Sequence, residues 1–139
     1  MLAGLDENDL TVMRFEDYHL NFPEDGLYCR AETLARDPDL CRQFVQASLE
    51  GWRYAFAHED EALDVVMRQV NQANRSTNRV HQRWMLNHMK PVILPDSGGA
   101  MGVLTREEYT NVAETLRQGG VIQHIPEWTA FYDDCASPR

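Results

Sequence analysis

The stretch "PDLCRQFVQASLEGWRYAF", residues 38–56, limits what this chain can fold into more than any other. Asp37 before it is a good N-cap, and Pro38 suits the first helical position, where its missing N–H would be unpaired anyway. Val45, Leu49, Trp52 and Phe56 recur at helical spacing on one face. Leu40, Phe44, Ala47 and Gly51 form a neighbouring face of smaller residues. The apolar arc is wide, which predicts a largely buried helix. Gly51 in its middle costs about 1 kcal/mol relative to alanine. The expectation is that the missing side chain lets another backbone approach.

The elements around this helix follow from local signals. "LTVMRF" (10–15) is rich in strand formers and predicts a short strand. Residues 16–26 are polar and punctuated by Pro23 and Gly26, as in a loop. "LYCRAE" (27–32) predicts a second strand, and "ETLARD" at most a helical turn. After a corner near His58, Glu59, Asp60 and Glu61 crowd the start of a helix, where the dipole favours negative charge. Leu63, Val66, Met67 and Val70 supply its buried face. Residues 71–77 are a polar connection. A further helix is predicted over 78–89, with Trp84 and Met85 facing the core and Pro91 ending the regular part. Residues 91–104 are irregular. Thr105 and Glu108 form a capping box for a helix striped by Tyr109, Val112, Ala113 and Leu116, and stopped at Gly119–Gly120. A short helix follows Pro126, anchored by Trp128, Phe131 and Tyr132. The tail "CASPR" is expected to fray. The reading is an α-rich α/β chain, two short strands followed by a set of helices, forming a single domain over 1–139.

Composition excludes some partners. Apolar residues are 43% and charged residues 25%, which suits a folded chain. A net charge of -9 and a pI near 4.9 oppose a nucleic-acid backbone or an anionic membrane surface. No apolar run approaches the ~20 residues needed to span a bilayer, so no membrane insertion is expected. The N-terminal "MLAGLDENDL" has neither the basic region nor the apolar run of a secretory signal.

No catalytic constellation stands out. His81 and His88 are too far apart for the i, i+4 pairing of a helical metal site, and they read as partly exposed histidines beside Trp84. "DSGG" (96–99) lacks the strand-to-helix elbow of a serine nucleophile and reads as a turn. "GGAMG" (98–102) lacks the Lys–Ser/Thr of a phosphate loop. Glu59, Asp60 and Glu61 read as helix capping. No metal or cofactor is expected, and the chain reads as a non-enzyme. Of the three cysteines, Cys41 reads as a buried small hydrophobe and Cys135 as a tail residue. A Cys29–Cys41 disulfide stays open for an oxidising compartment, with free thiols the favoured reading. The most suggestive stretch is "YHLNFPEDGLYCR" (18–30), which sets aromatics and carboxylates in a loop between the two predicted strands. Loops on a rigid scaffold are where ligand contacts tend to lie. Composition alone favours a solvated turn there.

The order of these elements resembles the NMT/Thi-like (SsuA-like) solute-binding proteins of ABC transporters. The resemblance is carried by the loop from Tyr18 to Leu27, the helix start from Asp37 to Leu40, the "FVQASLEGWRYA" helix from Phe44 to Ala55, and the turn from His58 to Leu63. The segments "MGVLTREEYTNVAETLRQGGVI" and "WTAFYDD" are also similar to the family's final helices. The resemblance implies a partial type II periplasmic-binding fold, with this chain as the C-terminal part of a two-lobed protein. It implies binding of a small organic solute, a thiamine pyrimidine precursor or an alkylsulfonate, and an ABC permease as partner. Tyr18, Phe22, Glu24 and Asp25 are the implied ligand-binding positions, the two carboxylates accepting ligand N–H groups. Periplasmic location follows by the same resemblance, while the lack of a signal in this chain keeps a cytoplasmic one open. Fungal members of the wider family build the thiamine pyrimidine with a cysteine-rich motif, which is absent here. Two other readings are a ligand-sensing module of a signalling protein and a stand-alone interaction protein that dimerises. A homodimer is expected, since losing a lobe would uncover apolar helix faces.

Overall fold

Asp37 and Pro38 start the longest helix in the way their chemistry requires. The Asp37 Oδ1 accepts a hydrogen bond from the Leu40 N–H at 2.9 Å, and α2 (Pro38–Ala57) begins at the proline. The structure is a computed structural model, and it describes residues 9–18, 20–23, 26–94 and 100–137. Asp37 is the only residue between α2 and the preceding α1 (Ala31–Arg36). At the other end His58 leaves helical geometry, with φ -130° and ψ 56°, and α3 (Glu59–Gln72) follows at once. Its first three residues are acidic, as the dipole favours. The Asn78 side chain accepts from the His81 N–H at 2.9 Å and caps α4 (Arg79–Ile93). The chain ends with α5 (Arg106–Gln118) and the short α6 (Trp128–Phe131).

These elements fall into two compact units. One is made of Gly26–Thr105 and Pro126–Arg139, the other of Met1–Asp25 and Arg106–Ile125. The first unit carries α1 to α4 and α6, with α2 packed on α1 and α3, and α3 on α4. Its buried apolar residues are Leu49 and Phe56 of α2, Leu63 of α3, Met101 and Cys135. Trp52 stacks on Phe56 one turn away, with ring centroids 5.5 Å apart. An ion-paired cluster joins α3 to α4. Arg79 pairs with both Asp60 (3.0 Å) and Asp64, and Arg83 pairs with Asp60 (2.5 Å).

In the second unit α5 buries Tyr109 and Ala113, with Val112 and Leu116 half-buried beside them. This is the predicted stripe. Its end is a Schellman motif: Val121 N–H bonds to Leu116 O at 2.9 Å and Gly120 N–H to Arg117 O at 3.1 Å. Gly120 takes the left-handed conformation the motif needs, at φ +71°. The unit also carries a 3-10 turn at Phe15–Tyr18.

Several expectations are corrected. The fold is helical rather than α/β, and no strand occurs among the described residues. Residues 10–14 and 26–30 are irregular, residue 15 opens the 3-10 turn, and the predicted second strand runs into α1 at Ala31. Strand propensity reports how well a side chain fits a half-buried pleated surface, and these stretches have no neighbouring strand to form one. "ETLAR" is helical throughout, as part of α1. Pro91 lies inside α4 instead of ending it. Its missing N–H removes one helical bond, but only two residues follow it, so the cost falls on a terminal turn. Trp84 and Met85 are exposed, and so is the Leu40–Phe44–Ala47–Gly51 face of α2. Only one stripe of α2 is buried, so the wide arc predicted too much burial. Nothing lies within 4 Å of where a Gly51 side chain would start, so no backbone approaches it.

The tail is also not frayed over its described part. Cys135 is buried, and two side chains of α2 hold the segment by its carbonyls. Arg42 Nη1 donates to Asp134 O (3.3 Å) and Ser137 O (3.2 Å), while Gln46 Nε2 donates to Cys135 O (3.0 Å) and Ala136 O (2.8 Å). Such bonds satisfy backbone acceptors that no secondary structure serves.

Candidate functional site

The loop singled out in the sequence begins at the 3-10 turn. Asp17 N–H bonds back to Arg14 O (3.2 Å), Leu20 N–H to Phe15 O (3.0 Å), and Phe22 N–H to Leu20 O (3.1 Å). These local bonds fix a compact bend without a strand on either side. Tyr18 closes the turn and is 62% exposed, and Phe22 is half-buried. Glu24 and Asp25 lie outside the described residues. Tyr18 and Phe22 thus belong to one bend of one unit. Leu27 and Tyr28, which follow in the other unit, are exposed.

The remaining polar groups occupy other places. His58 stacks on Tyr54 at 4.1 Å between centroids, and Tyr54 donates its hydroxyl hydrogen bond to Glu61 Oε2 at 2.7 Å. That bond, first of all, raises the Tyr54 hydroxyl above its ordinary pKa. Asp60 is held below the usual carboxylate range by its hydrogen bonds from Arg79 and then Arg83. These interactions tie α2, α3 and α4 to one another and read as structural. His81 and His88 flank the exposed Trp84 on α4, with ring centroids 6.1 Å and 4.0 Å from it, as the sequence suggested. Among the described residues no group of three His, Cys, Asp or Glu side chains could hold a metal ion. "DSGG" lies outside the described residues.

Sequence reasoning missed the grip of Arg42 and Gln46 on residues 134–137. Their spacing of four puts both on one side of α2, but that pattern equally fits a solvated face.

No described helix is long and apolar enough to cross a membrane. A family model described as "NMT1/THI5 like" matches residues 2–62, fewer than half of the 139 residues. The matched stretch contains the whole Tyr18–Arg30 loop, α1 and α2. No curated protein and no solved structure matches the chain. The likeness read from the sequence holds where its motifs are densest: over residues 2–62 the chain is similar to the NMT1/THI5-like family.

Proposed function

We propose that this chain is part of a small-molecule solute-binding protein serving ABC-type import, corresponding to the C-terminal part of a two-lobed molecule. The observation that carries this is the family match over residues 2–62, which takes in the loop and the helix after it. Tyr18, Phe22, Glu24 and Asp25 are the ligand-binding residues of this reading. An exposed tyrosine and a half-buried phenylalanine on one bend offer ring faces for stacking, worth about 0.5–1.5 kcal/mol per aromatic pair. The two carboxylates would accept ring N–H or amine donors. That chemistry favours a thiamine pyrimidine precursor over an alkylsulfonate, since a sulfonate would meet carboxylates on a chain of net charge -9. A permease partner and a periplasmic location follow from the same reading.

A chain supplying one loop of a cleft should bind weakly alone. Titrating an aminopyrimidine to millimolar concentration should shift the amide resonances of residues 18–25 by NMR, with an equal concentration of alkylsulfonate moving them less. Shifts elsewhere, or none, would sink the assignment of the loop. Micromolar affinity by calorimetry would sink the claim that the cleft is incomplete.

One observation favours a second reading, a homodimeric interaction protein. On α2, Leu40 is 52% and Phe44 is 61% exposed, on one helical face. Paired apolar stripes of this kind commonly mark an interface. Light scattering should then give twice the chain mass, with Phe44→Asp returning it to a monomer. A monomer at high concentration for the parent chain removes this reading.

A further inference from the structure

Charge is segregated along this acidic chain. Residues 65–95 contain Arg68, Arg75, Arg79, Arg83 and Lys90 and no aspartate or glutamate, so all 22 acidic residues lie outside that stretch. Its centre is α4, half-buried on one side at Leu86, Met89 and Ile93. The other side is open. Val80, Trp84, Met85 and Val92 are exposed, Trp84 by 54%. Val80, Trp84, His88 and Val92 follow one another at every fourth residue, which lines them along one side of the helix. The Trp84 ring lies against His88, 4.0 Å away, with His81 at 6.1 Å, and His88 Nδ1–H donates to Trp84 O at 2.8 Å. A tryptophan already seated between neighbours has less freedom to lose on binding.

The cations divide into two groups. Arg79 and Arg83 are taken up by Asp60 and Asp64 of α3. Arg68, Arg75 and Lys90 are exposed and, among the described residues, in no ion pair. A solvated helix gains from charges of both signs on its surface, whereas α4 carries positive charge alone beside an apolar stripe.

We propose that the exposed face of α4 is a docking surface for an acidic protein segment, whose apolar residues cover Val80 and Trp84 and whose carboxylates pair with Arg75 and Lys90. A basic amphipathic helix meeting an acidic, apolar-lined partner is a recurring mode of recognition. Charge complementarity selects this class of partner. A continuous phosphate surface, whether nucleic acid or lipid, would press its charges on Asp60, Glu61 and Asp64, which are exposed on the neighbouring α3. A peptide carries separate carboxylates and can set them at the cations while the α3 acids keep facing water. With screening over about 8 Å at physiological salt, a short segment feels chiefly α4 rather than the net charge of -9. The surface uses none of residues 18–25 and neither Leu40 nor Phe44, so it stands apart from both readings of function above.

The test uses the whole folded chain and a fluorescently labelled fifteen-residue peptide, as long as α4, with leucine at helical spacing and glutamate elsewhere, followed by anisotropy. Saturable submillimolar binding is expected, weakening as salt rises from about 0.05 M to about 0.3 M. Trp84→Ala, changed at an exposed site, should weaken it about tenfold or more while the chain stays folded by urea unfolding, and Arg75→Glu combined with Lys90→Glu should do the same. A peptide with glutamine in place of glutamate should also bind about tenfold less tightly or worse. No binding, equal binding of the two peptides, or parent-like binding by Trp84→Ala would each overturn the proposal. So would tighter binding to phosphatidylglycerol vesicles or to a single-stranded oligonucleotide than to the peptide, or a self-association of the parent that Trp84→Ala abolishes.

Discussion

Replacing Gly51 with alanine separates two accounts of α2. Sequence periodicity wraps the helix in apolar residues and asks the glycine to admit a neighbour. A methyl group would then overpack the site, typically costing 1–3 kcal/mol. The structure leaves that face open, with nothing within 4 Å of an added Cβ. Gly51 is helical and has no need of positive φ. Only propensity is left, and alanine gains about 0.8–1 kcal/mol over glycine in a helix interior. With a urea slope of about 1–3 kcal/mol/M, the midpoint should rise by roughly 0.3–1 M with the slope unchanged. The measurement belongs at low protein concentration, because a second copy seated on the Leu40–Phe44 face would itself crowd position 51. A lowered midpoint in dilute protein would refute the open face and restore a covered one.

Three further outcomes are expected. Leu63 is 2% exposed, so Leu63→Ala should cost about 2–5 kcal/mol, a large part of a domain's stability, measurable by urea unfolding. Asp37→Ala should cost about 1 kcal/mol by the same measurement, whereas Asp37→Asn, which keeps an acceptor for the Leu40 N–H, should be nearly neutral. The Asp60 carboxyl is depressed in the folded state, so its stabilising effect is complete above the ordinary aspartate value of about 3.9 and is lost as pH falls through the lower folded value. Unfolding midpoints followed from pH 7 to pH 2 should show that loss in the parent chain and less of it in Asp60→Asn; identical acid limbs would refute it.

The sequence by itself determined where α2, α4 and α5 begin and which residues stripe α5. Asp37, Pro38 and Asn78 act within three residues of themselves, so their caps need no tertiary partner. The Tyr109–Ala113 stripe and the glycine stop at 119–120 are equally local. The Tyr18–Phe22 bend was legible as a loop, and the family match over 2–62 agrees with the motifs quoted from it. Tertiary structure decided the rest. Residues 10–15 and 27–32 carry strand-forming side chains, but a strand exists only where another strand takes up its backbone groups, and among the described residues none does. Two apolar stripes on α2 looked equivalent in sequence. Which of them is buried depends on where α1, α3 and the chain around Met101 pack, and those contacts chose Leu49 and Phe56 over Leu40 and Phe44. The same holds for the tail. Residues 42 and 46 meet residues 134–137 only after about 90 residues of chain have folded back, and no local pattern encodes an encounter at that separation.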